Sequence, residues 1–455
     1  MPVLKPLAAA LSLALAAGTA HADVNTLVGF SLLPANTFSN GPTSGQFAGA
    51  GAGGNPLPLI DKQPVQGFSA VLSGPTPGSY YVMPDNGFGA KTNSADALLR
   101  VYSIKPAFKT ATGGTGTVGA VNYSSGAGLA SFNNASHITL ADPNRKLGFT
   151  IQADYDRYYN NAANPLVNSS IKAGRLLTGA DFDIESVRKD KNGNLWFGEE
   201  FGPFLVKTNA NGVVQRQEIA LPSVQAPQNP YLNGGTPNLG QSRGFEGMAI
   251  NPAGDKLYTL LEGTVTGDPA KSLRINEFSI DTESYTGKSF MYQLEASGTN
   301  IGDMTAINDH QFLVIERNGD TATTPGGNPF KKIFLADIGG VANGGTVTKT
   351  EVVDLMNIAD PNDLNGDGNT KFTFPFVTIE SVLPLDKRTL LVLNDNNYPG
   401  VGGRNAGSDN NEMLLIHLAR PLDLANPVPE PSTYAMMAGG LGLIGLMARR
   451  RRATR

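Results

Sequence analysis

The 455-residue chain has no cysteine, only four histidines and a single tryptophan. Without cysteine there are no disulfides, no thiolate nucleophile and no thiolate metal site, so the fold stands on its packed core alone. His137, His310 and His417 lie in no triad-like pattern, and no G-x-S-x-G elbow occurs, which removes the usual nucleophilic hydrolase signatures. Charged residues make up only 16% of the chain, and 39 acidic side chains outnumber 35 basic ones for a formal −4. Lys5 and the arginines at 449–452 and 455 lie in the end segments, so the body between them is more acidic than the whole. Such a balance argues against nucleic acid as a partner and suits metal cations. No long segment of helical period occurs between the ends. With 54 glycines and 30 prolines, the composition points to many short strands and turns, an all-β class.

Both ends read as addresses. The first 22 residues combine Lys5, an apolar run and Ala20-His21-Ala22, a signal peptide with cleavage expected before Asp23. The body then runs over 23–427. The end segment, 428–455, holds Val428-Pro429-Glu430-Pro431, an apolar glycine-rich helix at 434–448 and the cluster Arg449 to Arg452. That apolar stretch is slightly short for a bilayer crossing, so contact with a membrane would be transient. The three parts in this order resemble the PEP-CTERM sorting signal of Gram-negative bacteria. The resemblance implies processing by an exosortase-type enzyme, then release or attachment at the cell surface or in the extracellular matrix.

Within the body, one pattern recurs. "DIESVRKDKNGNLWFGEE" from Asp183 reads as two apolar strands around a polar turn, beginning and ending in acid. Echoes start at Gly67, Gly244, Ile301 and Thr378, giving five repeats with room for a degenerate sixth in the insertion at about 110–179. The paired positions are Ser69 with Asp85, Glu185 with Glu199 or Glu200, Glu246 with Glu262, Asp303 with Glu316, and Glu380 with Asp395. A third apolar strand follows each hairpin, and weaker fourth strands include HITLAD, RQEIAL, SFMYQL and TKTEVVDL. The last repeat lacks a fourth strand, which NTLVGFSLLP near the start of the body would supply. Repeats of four strands whose ends complete each other describe a β-propeller.

In such a ring the innermost strands line a central channel, and equivalent residues converge on its axis. Clustered carboxylates repel and resist desolvation, so they persist where a cation compensates them. Oxygen donors without cysteine select a hard ion, calcium first and magnesium second. Glu185, Glu246, Asp303 and Glu380 on the rim, with Glu316 and Asp395 just outside, are the expected metal ligands. A second calcium-like element, Asp363-Leu364-Asn365-Gly366-Asp367, lacks the twelfth-position glutamate of an EF-hand and is explained equally well by a turn.

The segments "GADFDIESV", "NLWFGEEFGPFLVK", "RGFEGMAI", "LYTLLEG", "ERNGD" and "LNDNNYPG" resemble, in order, the phytase-like family with esterase-like activity. The resemblance spans most of the body and implies a calcium-dependent propeller acting on a small-molecule phosphate ester. It adds Asp183 to the expected metal ligands and marks Arg243, Arg317, Glu200 and Glu262 as residues expected to work on the substrate. The lysine-rich phosphate grip of propeller phytases is not evident, which speaks against phytate itself. Two other uses of the same centre fit these residues, a lactonase or carboxylic esterase, and a non-enzymatic calcium-stabilised surface protein.

Overall fold

A computed structural model of the protein describes residues 24–49, 56–155, 167–400, 402–405 and 407–425. The signal peptide and the sorting segment therefore lie outside the described residues. Five antiparallel four-stranded units follow one another along the chain. The first consists of Phe68–Ser73, Tyr80–Pro84, Arg100–Ala107 and Thr117–Ala120. The second consists of Ile184–Lys189, Leu195–Glu199, Phe204–Thr208 and Ile219–Ala220. The third runs through Phe245–Ile250, Lys256–Leu261, Ser272–Ser279 and Ser284–Gln293. The fourth is Asn300–Ala306, Gln311–Arg317, Lys331–Asp337 and Thr348–Asp354. The fifth takes Thr378–Asp386, Thr389–Asp395 and Asn411–His417 from the C-terminal side, and Thr26–Leu33 from the N-terminal side.

That last pairing closes the ring. Thr26 lies opposite His417 and Leu33 opposite Asn411, so the start of the body completes the sheet left short at its end. Bridges from Leu32 to Thr117 and from Phe30 to Lys109 then tie the fifth unit to the first.

The strand sequences explain why the sheets stand radially. In "LLVL" from Leu390, alternate side chains leave opposite faces of the sheet, yet all four are buried. Leu390 and Val392 pack with Leu313 and Ile315 of the fourth unit. Leu391 and Leu393 pack with Val71 and Val82 of the first. The same two-sided burial joins Val101 to Phe197, Leu205 to Leu257, and Leu260 to Val314. Five cores thus lie between five consecutive sheets, and the circuit returns to its start: the fold is an all-β propeller. Each fully buried Leu, Ile, Val or Phe contributes about 1.5–3 kcal/mol, which lets a chain without disulfides hold itself together.

The insertion differs from the sequence expectation. Thr117–Ala120 and His137–Thr139, the latter from HITLAD, both pair with Arg100–Ala107. A short helix Ser169–Gly174 follows, and no further four-stranded sheet occurs there among the described residues. The loop at 363–369 closes on itself: Asp363 accepts from Gly368 N, and Asp367 from Asn365 Nδ2 and Asn369 N, so its acceptors serve a turn. Among the described residues no helix is long and apolar enough to cross a membrane; the apolar stretch at 434–448 is outside them.

Close approach of neighbouring units has one sharp consequence. A Cβ added to Gly302, on the fourth unit's inner strand, would lie 1.9 Å from the carbonyl oxygen of Ile379 on the fifth. Gly302→Ala should therefore lower stability by about 1–3 kcal/mol through forced separation of the strands. Gly319→Ala, where an added Cβ meets nothing within 4 Å, should shift it by less than about 0.5 kcal/mol. Urea unfolding of the two variants checks this, and equal losses would contradict the packing described.

Candidate metal centre

The inner strands share one irregularity. In each, pairing with the second strand skips a single residue, at Ser69, Glu185, Glu246, Gly302 and Glu380. A bulge leaves its extra residue unpaired and re-aims the side chain. The registers also fix the facing positions. Pro84, Glu199, Leu261, Glu316 and Asn394 lie opposite the residues before the bulges. The next residues along the second strands are Asp85, Glu200, Glu262, Arg317 and Asp395, one step beyond those positions; Arg317 pairs with Asn300 and Asp395 with Thr378. Side chains of the two sets meet across the ring: Ser69 Oγ donates to Glu380 Oε2 at 3.1 Å, and Arg317 Nη2 donates to Glu246, Glu262 and Glu380 at 3.1–3.4 Å.

Three acids read into the ring or beside it belong elsewhere. Asp303 is the residue after the bulge, equivalent to Ser186 and Ser381, and like them it ties its unit to a neighbour. Ser186 Oγ donates to Phe245 O at 3.4 Å, Ser381 Oγ donates to Phe68 O at 3.0 Å, and Asp303 Oδ2 accepts from Val382 N at 3.0 Å. The other oxygen of Asp303 accepts from Arg188 Nη2 at 2.9 Å. Arg188 stands on the second unit and Asp303 on the fourth, so this buried pair spans the channel. Glu316 falls one residue before the ring position and accepts from Tyr292 Oη, Glu295 N and Lys349 Nζ. Glu199 does the same and accepts from Phe201 N and Gly202 N.

Two groups of carboxylates have ligand atoms within 4.8 Å of one another: Asp85, Asp183 and Glu185; and Glu185, Glu200 and Glu246. Glu185 belongs to both. Asp183, just before the second unit's inner strand, is held by a hydrogen bond from Asn86 Nδ2 at 2.7 Å. Of the acids expected as ligands, Asp183 and Glu246 each lie beside Glu185, but in different groups. Asp85 and Glu200 join them, while Glu380 lies in the grip of Arg317 and Asp395 accepts from Asn397 N and Thr378 Oγ1. Asp85 was visible in the repeat as the partner of Ser69, but the serine hid its importance.

Burial pushes all of these acids upward. Glu185 is held well above the ordinary range by desolvation, then by the charges of Glu246, Asp183, Glu380 and Asp85. Glu200 is raised by desolvation and by Glu262 and Asp183, and Glu246 by desolvation, Glu380 and Glu262. Asp183 is pushed up to about 6, chiefly by burial. Arg317 is the internal counter-charge for the other side of the ring. Behind it Lys331, fully buried, is lowered to about 7 by desolvation and by Arg317. Arg243 reaches the ring from outside, half-exposed, donating to Glu262 Oε2 at 2.8 Å.

The donor set fits a hard cation. It offers oxygen alone, and Oε1 of Glu200 is buried with no hydrogen-bond partner. An orphaned carboxylate oxygen in such a place costs several kcal/mol unless a positive charge meets it. Asp85, Asp183 and Glu185, or Glu185, Glu200 and Glu246, would hold such an ion.

Propeller architecture with an acidic mouth defines a class of protein, and comparison places the chain within it. Residues 63–398 match the phytase-like model described as "Esterase-like activity of phytase". The chain belongs to that family. Residues 427–452 match the PEP-CTERM protein-sorting motif, which indicates export to the cell surface of a Gram-negative bacterium and exosortase-type processing. No curated protein matches the chain. Among solved structures, a GH43 β-1,3-galactosidase aligns over 78% of this chain and 91% of its own at 12% identity, with a TM-score of 0.38. A calcium-binding protein, regucalcin from Agrobacterium tumefaciens, aligns over 86% and 99% at 11% identity, with a TM-score of 0.35.

The raised acids carry a pH signature. Between the ordinary carboxylate range and their raised values, the folded protein binds more protons than the unfolded chain, so stability falls as pH rises. Asp183 near 6 and Glu199 near 8 place this window between about pH 4 and 8; Lys331 opposes it only above about 7. Denaturation in chelator at about pH 5, 6 and 7 should show declining stability, and calcium should flatten the decline. A rise over this range in chelator would contradict the electrostatics.

Proposed function

We propose that the protein is an exported, calcium-dependent phosphoric-ester hydrolase whose centre is the acidic ring. The observation that carries this reading is the orphaned Oε1 of Glu200 beside Glu185 and Glu246, in a family with esterase-like activity. When bound, calcium supplies a Lewis acid that polarises the ester and favours attack by water. Glu185, together with Glu200 and Glu246 or with Asp85 and Asp183, would hold it, and magnesium is the alternative ion. Hydrolysis adds water across the P–O bond, giving an alcohol and a phosphate.

The side chains around the centre divide the remaining work. Arg243, half-exposed at the mouth, balances charge on the non-bridging oxygens. Glu262 accepts from Arg243, Arg317 and Asn300, and so orients Arg243 rather than acting as a base. Arg317, buried among three carboxylates, offsets part of the charge on the far side of the ring. Removal of both end segments would leave a body at 23–427, released or held in the matrix, and intact-mass measurement of protein from its host checks both ends.

Glu185 gives the sharpest test, because it belongs to both groups of carboxylates and its electrostatic neighbours are acids. Calcium at ~100 times its dissociation constant should stabilise the wild type by roughly 2.7 kcal/mol. Glu185→Gln should abolish most of that gain yet stabilise the calcium-free protein by relieving repulsion. Thermal melts in chelator and in calcium decide it. If the variant melts lower by the same amount in both, the ring is structural and the metal centre is wrong. Activity on 4-nitrophenyl phosphate, a bis-phosphodiester, an acetate ester and a lactone, with and without calcium, tests the reaction. Turnover of only the carboxylic substrates would move it to lactone or ester cleavage, and turnover of none would leave a calcium-stabilised surface protein.

A further inference from the structure

Beside the ring, between the first and fifth units, lies a cleft of about 270 Å³. Its walls include Phe88, Tyr398, Pro84 and Pro399, and Asp85 and Asp395 also line it. No lysine, arginine or histidine lines it among the described residues. The aromatic walls are firmly placed: Phe88 and Tyr398 are buried, and Tyr398 packs edge-on against Phe38 with ring centroids 6.0 Å apart.

Asp85 connects this cleft to the centre. It stands in one of the two groups of carboxylates and also lines the cleft. A phosphoryl group held on a cation beside Asp85 would therefore leave the rest of its ester facing the cleft. We propose that this cleft binds the alcohol portion of the substrate, and that it selects a single uncharged apolar or aromatic alcohol. The proposal rests on the hydrolase reading above and names its substrate class. Apolar walls favour a ring or hydrocarbon, since small-molecule sites are lined this way with a few polar groups fixing orientation. Asp85 and Asp395 accept from a hydroxyl but repel an anion. The amide nitrogens of Gln66, Asn93 and Asn397, which also line the cleft, already donate to Pro34 O and Thr37 O, to Phe88 O and to Thr378 Oγ1 respectively, so a second phosphate meets like charge. Polyphosphorylated inositols are thereby excluded from the cleft.

The test reads binding, in chelator, so it does not depend on turnover or on metal. Ligand-observed NMR would follow benzyl alcohol, benzoate and inositol hexakisphosphate with the whole body of the protein. Benzyl alcohol should bind wild type, with benzoate and inositol hexakisphosphate failing to displace it. Ala48→Trp, which fills the cleft from its half-buried edge, and Phe88→Ala, which removes a wall, should each weaken benzyl alcohol by at least about tenfold. Both should keep the rise in melting temperature that calcium gives the wild type, which shows that they fold and leave the ring intact. Unchanged benzyl alcohol binding in Ala48→Trp, or displacement by inositol hexakisphosphate, overturns the proposal. A wild type that binds benzyl alcohol but gains nothing from calcium upholds the cleft and removes the phosphate-ester reading instead.

Discussion

Three carboxylates of the third and fifth units, Glu246, Glu262 and Glu380, converge on one nitrogen of Arg317. In a site this dry the arrangement is costly to form and more costly to break, because removing the guanidinium would leave three buried charges unpaired. It also sets the character of the whole mouth. The ring positions hold seven carboxylates, Ser69, Gly302 and one guanidinium. Arg317 satisfies one side; the acids of the first and second units have no comparable guanidinium among them. The imbalance is what gives a diffusible cation something to do.

The rest of the propeller keeps that imbalance in place. Sheets buried on both faces leave the inner strands little freedom, so the five bulges project their residues at one level. Below them the Arg188–Asp303 pair crosses the channel, with side chains only 4% and 0% exposed. So dry a pair next to the ring raises the energetic weight of the charges near it. Arg243 and the cleft beside Asp85 lie at the edge of the ring.

Much of this was legible in the chain. Two-sided burial was written in runs such as "LLVL", and the missing fourth strand of the last repeat was supplied by Thr26–Leu33. The acids of the second and third repeats were found because each hairpin begins with a glutamate and ends with another 15 or 16 residues on, Glu185 to Glu200 and Glu246 to Glu262. The fourth repeat misled for a definite reason. Aligning acid with acid paired Asp303 with Glu316, 13 residues apart, whereas every other pair is separated by 14 to 16. Shifting to Gly302 and Arg317 restores a spacing of 15. That odd spacing was the available signal, but composition drew attention to carboxylates, and neither a glycine nor an arginine looks like a member of an acidic set. Bulges add a second difficulty: they move one residue to the other face without any mark in the local pattern.

The departures from five-fold repetition therefore carry the chemistry. At Gly302 the neighbouring backbone comes too close for any side chain, so the fourth unit gives no inner acid. Its second strand gives Arg317 instead, and the charge of the ring becomes lopsided. At Ser69 the first unit gives a hydroxyl that donates to Glu380, leaving Asp85 as that unit's only carboxylate in the ring. Asp85 then serves both the group around Glu185 and the wall of the cleft. A symmetric ring of ten acids would attract cations everywhere and orient a substrate nowhere. Three departures, at Ser69, Gly302 and Arg317, leave the less neutralised acids on one side, with an apolar cleft set against them.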